Sequence, residues 1–68
     1  MSNGLTNTLR AEREKRGWTQ AQLAERVGVS RKTINTVENG GFVPSTVIAL
    51  KIARACETSV ESLFGLED

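Results

Sequence analysis

The sequence predicts an all-α fold, a compact bundle of five helices within one domain of 68 residues, and three observations carry that prediction. Between Thr19 and Asn39 the stretch TQAQLAERVGVSRKTINTVEN has the spacing of two short helices joined by a tight turn. Leu23 supplies an apolar contact, Ala24 a small residue where the helices cross, Gly28 the turn, and Ile34 and Val37 clamp the second helix. The composition, 38% apolar and 25% charged with 4% aromatic residues, suits packed helices and shows none of the alternation of an all-β chain. Capping residues, glycines and one proline divide the remainder into helix-length segments.

Taken in order, helix 1 is expected from about Leu5 to Arg16, with Leu5, Leu9 and either Glu12 or Arg13 facing inward. Gly17 ends it, and Trp18 packs beside it. Thr19 followed by Gln22 is a capping box that starts helix 2, which runs to about Val27 and breaks at Gly28. Ser30 caps helix 3, which runs to Glu38 or Asn39 before the Gly40, Gly41 pair. Pro44 and Ser45 open helix 4, and Thr58 or Ser59 opens a short helix 5 ending near Gly65. Helix 4 carries Ile48, Ala49, Leu50, Ile52, Ala53, Ala55 and Cys56 over well more than the roughly 100° stripe that one core contact needs. That surplus, and the thin core of so short a chain, point to a homodimer whose interface draws on Phe42, Val43, Ile48, Ile52, Phe64 and Leu66.

Several function classes are disfavoured by composition. With no histidine, no tyrosine and one cysteine, the chain cannot assemble a Ser-His or Cys-His nucleophile pair or the usual zinc ligand set, so neither catalytic nor metal residues nor a cofactor are expected. No apolar run is long enough for a membrane span, and the opening MSNGLTNTL lacks the basic start and apolar stretch of a secretory signal. With Cys56 alone, no disulfide forms within a chain, and a reducing cytoplasm is the expected address. The net charge of +1 hides a polarity: residues 1–32 hold seven basic residues against three acidic ones, while 33–68 hold two against five. Such a molecule can present one end to phosphate and the other away from it.

Projected at 100° per residue, helix 3 turns Ser30, Ile34, Val37 and Glu38 toward the body and Lys32, Asn35, Thr36 and Asn39 away from it, with Arg31 and Thr33 flanking. The outward set has no acidic residue and is made of groups that reach base edges in a major groove: Arg or Lys to guanine, Asn to adenine, Thr to thymine. Gln20 falls in the first turn of helix 2, where open backbone amides and the helix dipole bind a phosphate; Thr19 is placed to share that contact.

From LRAEREKRGWTQAQLAERVGVSRKTINTVENG and the later PSTVIALKIARACETSVESLF, the chain resembles the phage-repressor and Cro-type helix-turn-helix family, in particular its small single-domain bacterial regulators. The resemblance implies a lambda-repressor-like five-helix domain with the helix-turn-helix at helices 2 and 3, a homodimer on an inverted-repeat operator in double-stranded DNA, and control of transcription, most simply repression. It implies Arg31, Lys32 and Thr36 as base readers supported by Thr33 and Asn35, and Gln20 and Asn39 as phosphate anchors. It further implies a partly buried ion pair between Arg13 and Glu38. Two departures stand out. The loop after helix 3, Gly40-Gly41-Phe42-Val43, is uncharged where several phage repressors carry a basic loop, which predicts fewer phosphate contacts and a shallower salt slope. Cys56 stands where a larger apolar residue is usual and Glu57 where glycine is frequent; Cys56 reads as a buried, inert thiol rather than a redox sensor.

A different class, a protein-binding module of the same fold such as an antitoxin partner, is supported by the excess apolar surface of helix 4 and the acidic end LFGLED. DNA compaction without sequence preference fits the modest net charge poorly.

Overall fold

The computed structural model describes residues 4–67; residues 1–3 and Asp68 of the acidic end lie outside the described part. Five helices are present, α1 (Leu9–Lys15), α2 (Gln20–Val27), α3 (Arg31–Glu38), α4 (Thr46–Ala55) and α5 (Val60–Leu63), together with two short strands, β1 (Leu5–Asn7) and β2 (Phe64–Leu66). The fold is therefore helical with a small β ribbon, not wholly α. The strands pair antiparallel, Leu5 opposite Leu66, Thr6 opposite Gly65 and Asn7 opposite Phe64.

That ribbon corrects the expected start of helix 1. Leu5 and Leu9 have helical spacing, but the Thr6-Asn7-Thr8 stretch between them is poor in helix formers and rich in side chains that compete for backbone groups. Asn7 resolves the competition: its Oδ1 accepts from the Leu9 N–H at 3.1 Å and so opens α1, while the Thr8 N–H donates to the Leu63 carbonyl at 2.9 Å. Helix 5 likewise ends earlier than expected, because Phe64 to Leu66 join the ribbon.

Polar caps delimit the other helices. Thr19 and Gln22 form the reciprocal capping box of α2, with the Gln22 N–H donating to Thr19 Oγ1 at 3.0 Å and the Thr19 N–H to Gln22 Oε1 at 2.8 Å. Ser30, Ser45 and Ser59 each accept from the N–H three residues ahead at 3.1 Å, opening α3, α4 and α5. Each such cap contributes about 1 kcal/mol. At the other ends, α1, α3 and α4 close with the same paired bonds: Trp18, Gly41 and Thr58 donate back to the carbonyls of Arg13, Thr36 and Ala53.

The left-handed position in that closure is Gly17 in α1 and Gly40 in α3, but Glu57 in α4, at φ 54°. A residue with a Cβ is disfavoured there by about 1–2 kcal/mol. Glu57→Gly is expected to raise stability by about 1 kcal/mol, seen as a higher urea midpoint at unchanged slope. Glu57→Ala, which keeps the strain, is expected to bring no such gain.

The core gathers Leu9 from α1, Leu23, Ala24 and Val27 from α2, Ile34 and Val37 from α3, and Ala49, Ile52, Ala53 and Cys56 along one stripe of α4, closed by Leu63 and Phe64. This placement corrects the expected self-association surface. Ile52 is fully buried and Phe64 nearly so, and both belong to the monomer core; Ile48 is half-buried against it. The i, i+3, i+4, i+7 spacing of Ala49, Ile52, Ala53 and Cys56 makes this stripe the inward face of α4. The outward apolar residues of α4 are Val47 and Leu50, 61% and 56% exposed, and with Phe42, Val43 and Leu66 they form the apolar surface that remains.

Candidate nucleic-acid interface

α2 and α3 meet through the short side chain of Ala24 and the apolar contacts of Leu23, Val27, Ile34 and Val37, so the two helices approach closely and hold one rigid angle. Gly28 makes the turn possible at φ 83°, a conformation that costs glycine nothing. The packing leaves Arg31, Lys32, Asn35 and Asn39 exposed on α3, with Thr33 and Thr36 half-buried beside them.

The seven basic residues of the first half are not equally available. Arg10 pairs with Glu14 at 3.3 Å, Arg16 with Glu12 at 2.8 Å, and Arg26 stacks over the Trp18 ring, 4.3 Å from its centroid. Arg16 also donates to the Cys56 carbonyl, which ties the end of α1 to the end of α4. Arg31 and Lys32 have no acidic partner among the described residues. Both occupy the first turn of α3, which holds no acidic side chain. Two cations at the positive end of a helix dipole are held at a cost of about 0.3–1 kcal/mol each. No acidic side chain among the described residues offsets that cost.

Behind this face lies a polar brace. The Arg13 guanidinium donates from Nε to Glu38 Oε2 at 2.6 Å and from Nη2 to Oε1 at 3.2 Å, with the two side chains 11% and 2% exposed. Its third bond, Nη1 to the Trp18 carbonyl at 2.8 Å, fixes the turn leading into α2. The hydrogen bond to Glu38 pushes the Arg13 pKa above its ordinary value, so the guanidinium keeps its charge. The Gln20 amide adds donors to Glu38 Oε1 at 3.2 Å and to Asn35 Oδ1 at 3.1 Å. Gln20, expected to turn its side chain to a phosphate, thus spends both amide hydrogens on α3; the backbone N–H groups of Gln20 and Ala21, ahead of the first helical hydrogen bond, are what the turn can offer an anion. Asn39, the second expected anchor, donates to Asn35 Oδ1 at 3.3 Å.

The threonines also differ from expectation. Thr36 Oγ1 donates to the Lys32 carbonyl at 2.8 Å, and its methyl group lies 2.8 Å from where a Cβ on Gly41 would sit, so Thr36 is wedged between its own helix and the following loop. The Thr33 hydroxyl is shared with Ser30 Oγ at 2.9 Å as part of the helix cap. Asn7 is a residue that the sequence reading left without a role: its Nδ2 donates to the Val37 carbonyl at 3.0 Å, linking β1 to the last turn of α3. An asparagine two residues before a helix start is a local capping signal, but the bond to Val37 crosses 30 positions and has no local trace.

A helix-turn-helix family model matches residues 9–63, the whole span from the start of α1 to the end of α5. The chain belongs to the helix-turn-helix family. Among curated relatives of this helix-turn-helix protein, an uncharacterized HTH-type transcriptional regulator, YgzD of Bacillus subtilis, is 39% identical over 64 residues, 94% of this chain and 97% of that protein. The antitoxin HipB of Escherichia coli O6:H1 is 34% identical over 56 residues, 82% of this chain and 60% of that protein. Among solved structures, the restriction-modification controller protein C.AhdI from Aeromonas hydrophila superposes with a TM-score of 0.75 at 33% identity, covering 79% of this chain and 82% of that one. The matched span includes α2 and α3.

Two remaining features of this helix-turn-helix protein bear on other chemistry. Cys56 is completely buried, and desolvation pushes its thiol pKa up despite the nearby Arg16, so the thiolate nucleophile is suppressed. Among the described residues no helix is long and apolar enough to cross a membrane, and no cluster of potential metal ligands occurs.

Proposed function

We propose that this protein is a sequence-specific double-stranded DNA-binding regulator of transcription, a cytoplasmic repressor that acts as a homodimer and lays α3 in the major groove of each half of an inverted-repeat operator. The observation that carries the reading is the pair Arg31 and Lys32, exposed and without an acidic partner among the described residues, at the start of a helix whose inner face packs into the core with α2. Arg31, Lys32 and Asn35 reach base edges, with Thr33 and Thr36 shaping the face, while the first turn of α2 at Thr19 and Gln20, together with Asn39, meets the phosphates. Val43, Val47, Leu50 and Leu66 supply apolar surface for a second copy. The relatives named as transcriptional regulators support the same reading.

Selection of bound duplexes from a random-sequence library at near-physiological salt tests it. Enrichment of an inverted repeat is the expected result. A second reading, an antitoxin that retains the fold and binds a protein partner, is favoured by the exposed Val47 and Leu50 and by the relatedness to HipB. Failure to enrich any sequence transfers the weight to that reading.

A further inference from the structure

The hydrogen bonds around Asn35 determine which end of its amide is left to face a ligand. Asn35 Oδ1 accepts from Gln20 Nε2 at 3.1 Å and from Asn39 Nδ2 at 3.3 Å. An amide oxygen has two lone pairs, and both are taken; what remains is the NH2 group with its two hydrogens. Gln20 is not free to release the oxygen, because its other amide hydrogen is bonded to Glu38, which Arg13 clamps from the opposite side. On the same face Arg31 and Lys32 are donors without acceptor capacity. The Thr36 hydroxyl is folded back on the Lys32 carbonyl, and the Thr33 hydroxyl on Ser30.

Adenine recognition by asparagine needs both ends of the amide, the oxygen accepting from N6 and the nitrogen donating to N7. Here the oxygen is committed within the protein. Guanine is the base whose major-groove edge shows two adjacent acceptors, N7 and O6. We propose that Asn35 reads guanine purely as a donor, its NH2 shared between N7 and O6, and that Gln20 and Asn39 are the positioning residues that set this polarity. The half-site under α3 is therefore centred on guanine and not on adenine. This assignment rests on the DNA-reading function proposed above and specifies the base class it selects.

The test uses the full chain and duplexes enriched from the random library. At one position per half-site wild type is expected to prefer guanine over adenine on the order of tenfold or more, and 7-deazaguanine placed there, which lacks the N7 acceptor, is expected to weaken binding of wild type but not of Asn35→Asp. Asn35→Asp keeps oxygen acceptors for Gln20 and Asn39 but loses the NH2, so the guanine preference at that position disappears and shifts to cytosine or adenine, which present a donor. Gln20→Ala frees one of the two lone pairs of the Asn35 oxygen to accept from adenine N6, and is expected to bring adenine level with guanine there. Circular dichroism of Asn35→Asp is expected to match wild type, since Asn35 is exposed, and that of Gln20→Ala to keep the helical spectrum, since Arg13 still clamps Glu38. An adenine-centred half-site in wild type, or an unaltered guanine preference in Asn35→Asp, overturns the assignment while leaving the DNA-reading function standing. Failure of wild type to enrich any sequence overturns that function and this assignment with it.

Discussion

Arg13→Ala is expected to destabilise the protein by about 3–5 kcal/mol, the range for removing one partner of a buried ion pair. Native domains are stable by only about 5–15 kcal/mol, and one this short sits at the low end, so the variant loses most of its margin. The reason is the position of Glu38, 2% exposed at the end of α3 with two of its bonds supplied by Arg13. Without the guanidinium the carboxylate keeps only the neutral Gln20 amide, and the Trp18 carbonyl loses a donor as well. The loss therefore falls on the α1–α2 turn and on the end of α3 together. Urea unfolding followed by circular dichroism measures it. Replacing both partners with apolar residues of similar volume, Arg13→Met with Glu38→Leu, is expected to recover most of the loss, because no buried charge is then left unpaired. A cost below about 1 kcal/mol for Arg13→Ala would place the pair in the class of solvated surface bridges and refute the brace.

The second large effect is on binding. Arg31→Ala combined with Lys32→Ala is expected to lower affinity for the selected operator by about 30-fold to about 10⁴-fold, on the basis of about 1–3 kcal/mol for each base contact and tenfold per 1.4 kcal/mol. Stability is expected to be unchanged or slightly higher, since the substitutions remove two cations from the positive end of the α3 dipole. That opposite movement of affinity and stability separates a reading role from a structural one. The single variants separate base from phosphate contacts: loss of a phosphate contact reduces the slope of log K against log salt by about 1, whereas loss of a base contact relaxes discrimination at one position. Full operator affinity in the double variant would remove α3 from the groove.

The α2–α3 unit was legible because its signals are local. Thr19 and Gln22, Ser30, Gly28 and Gly40 act within one turn of their position, and the Leu23, Ala24, Ile34 and Val37 spacing follows from helix geometry. The start of α1 was not legible, because what holds Leu5 in a strand is Leu66 at the far end of the chain, and the Leu5 to Leu9 spacing imitates a helix. The width of the apolar arc on α4 was visible, but not which part of it is covered. Ile52 turned out to lie against the core and Leu50 outside it, a matter of how α4 rolls on α2 and α5. At the interface, residue type assigned Asn35 and Gln20 to plausible ligands without revealing that their side chains bond one another. Side-chain polarity across two helices is a property of packing, and the α2–α3 crossing decides it.

The ribbon of β1 and β2 joins the two ends of the described chain, and Asn7 carries that junction to α3. The pairing of Leu5 with Leu66 closes a long loop, at an entropic cost that is repaid only once the helices have brought the two strands together. By that argument the ribbon is a latch, expected to close after the helices have packed, and the final turn of α3 gains its Val37 bond when it does.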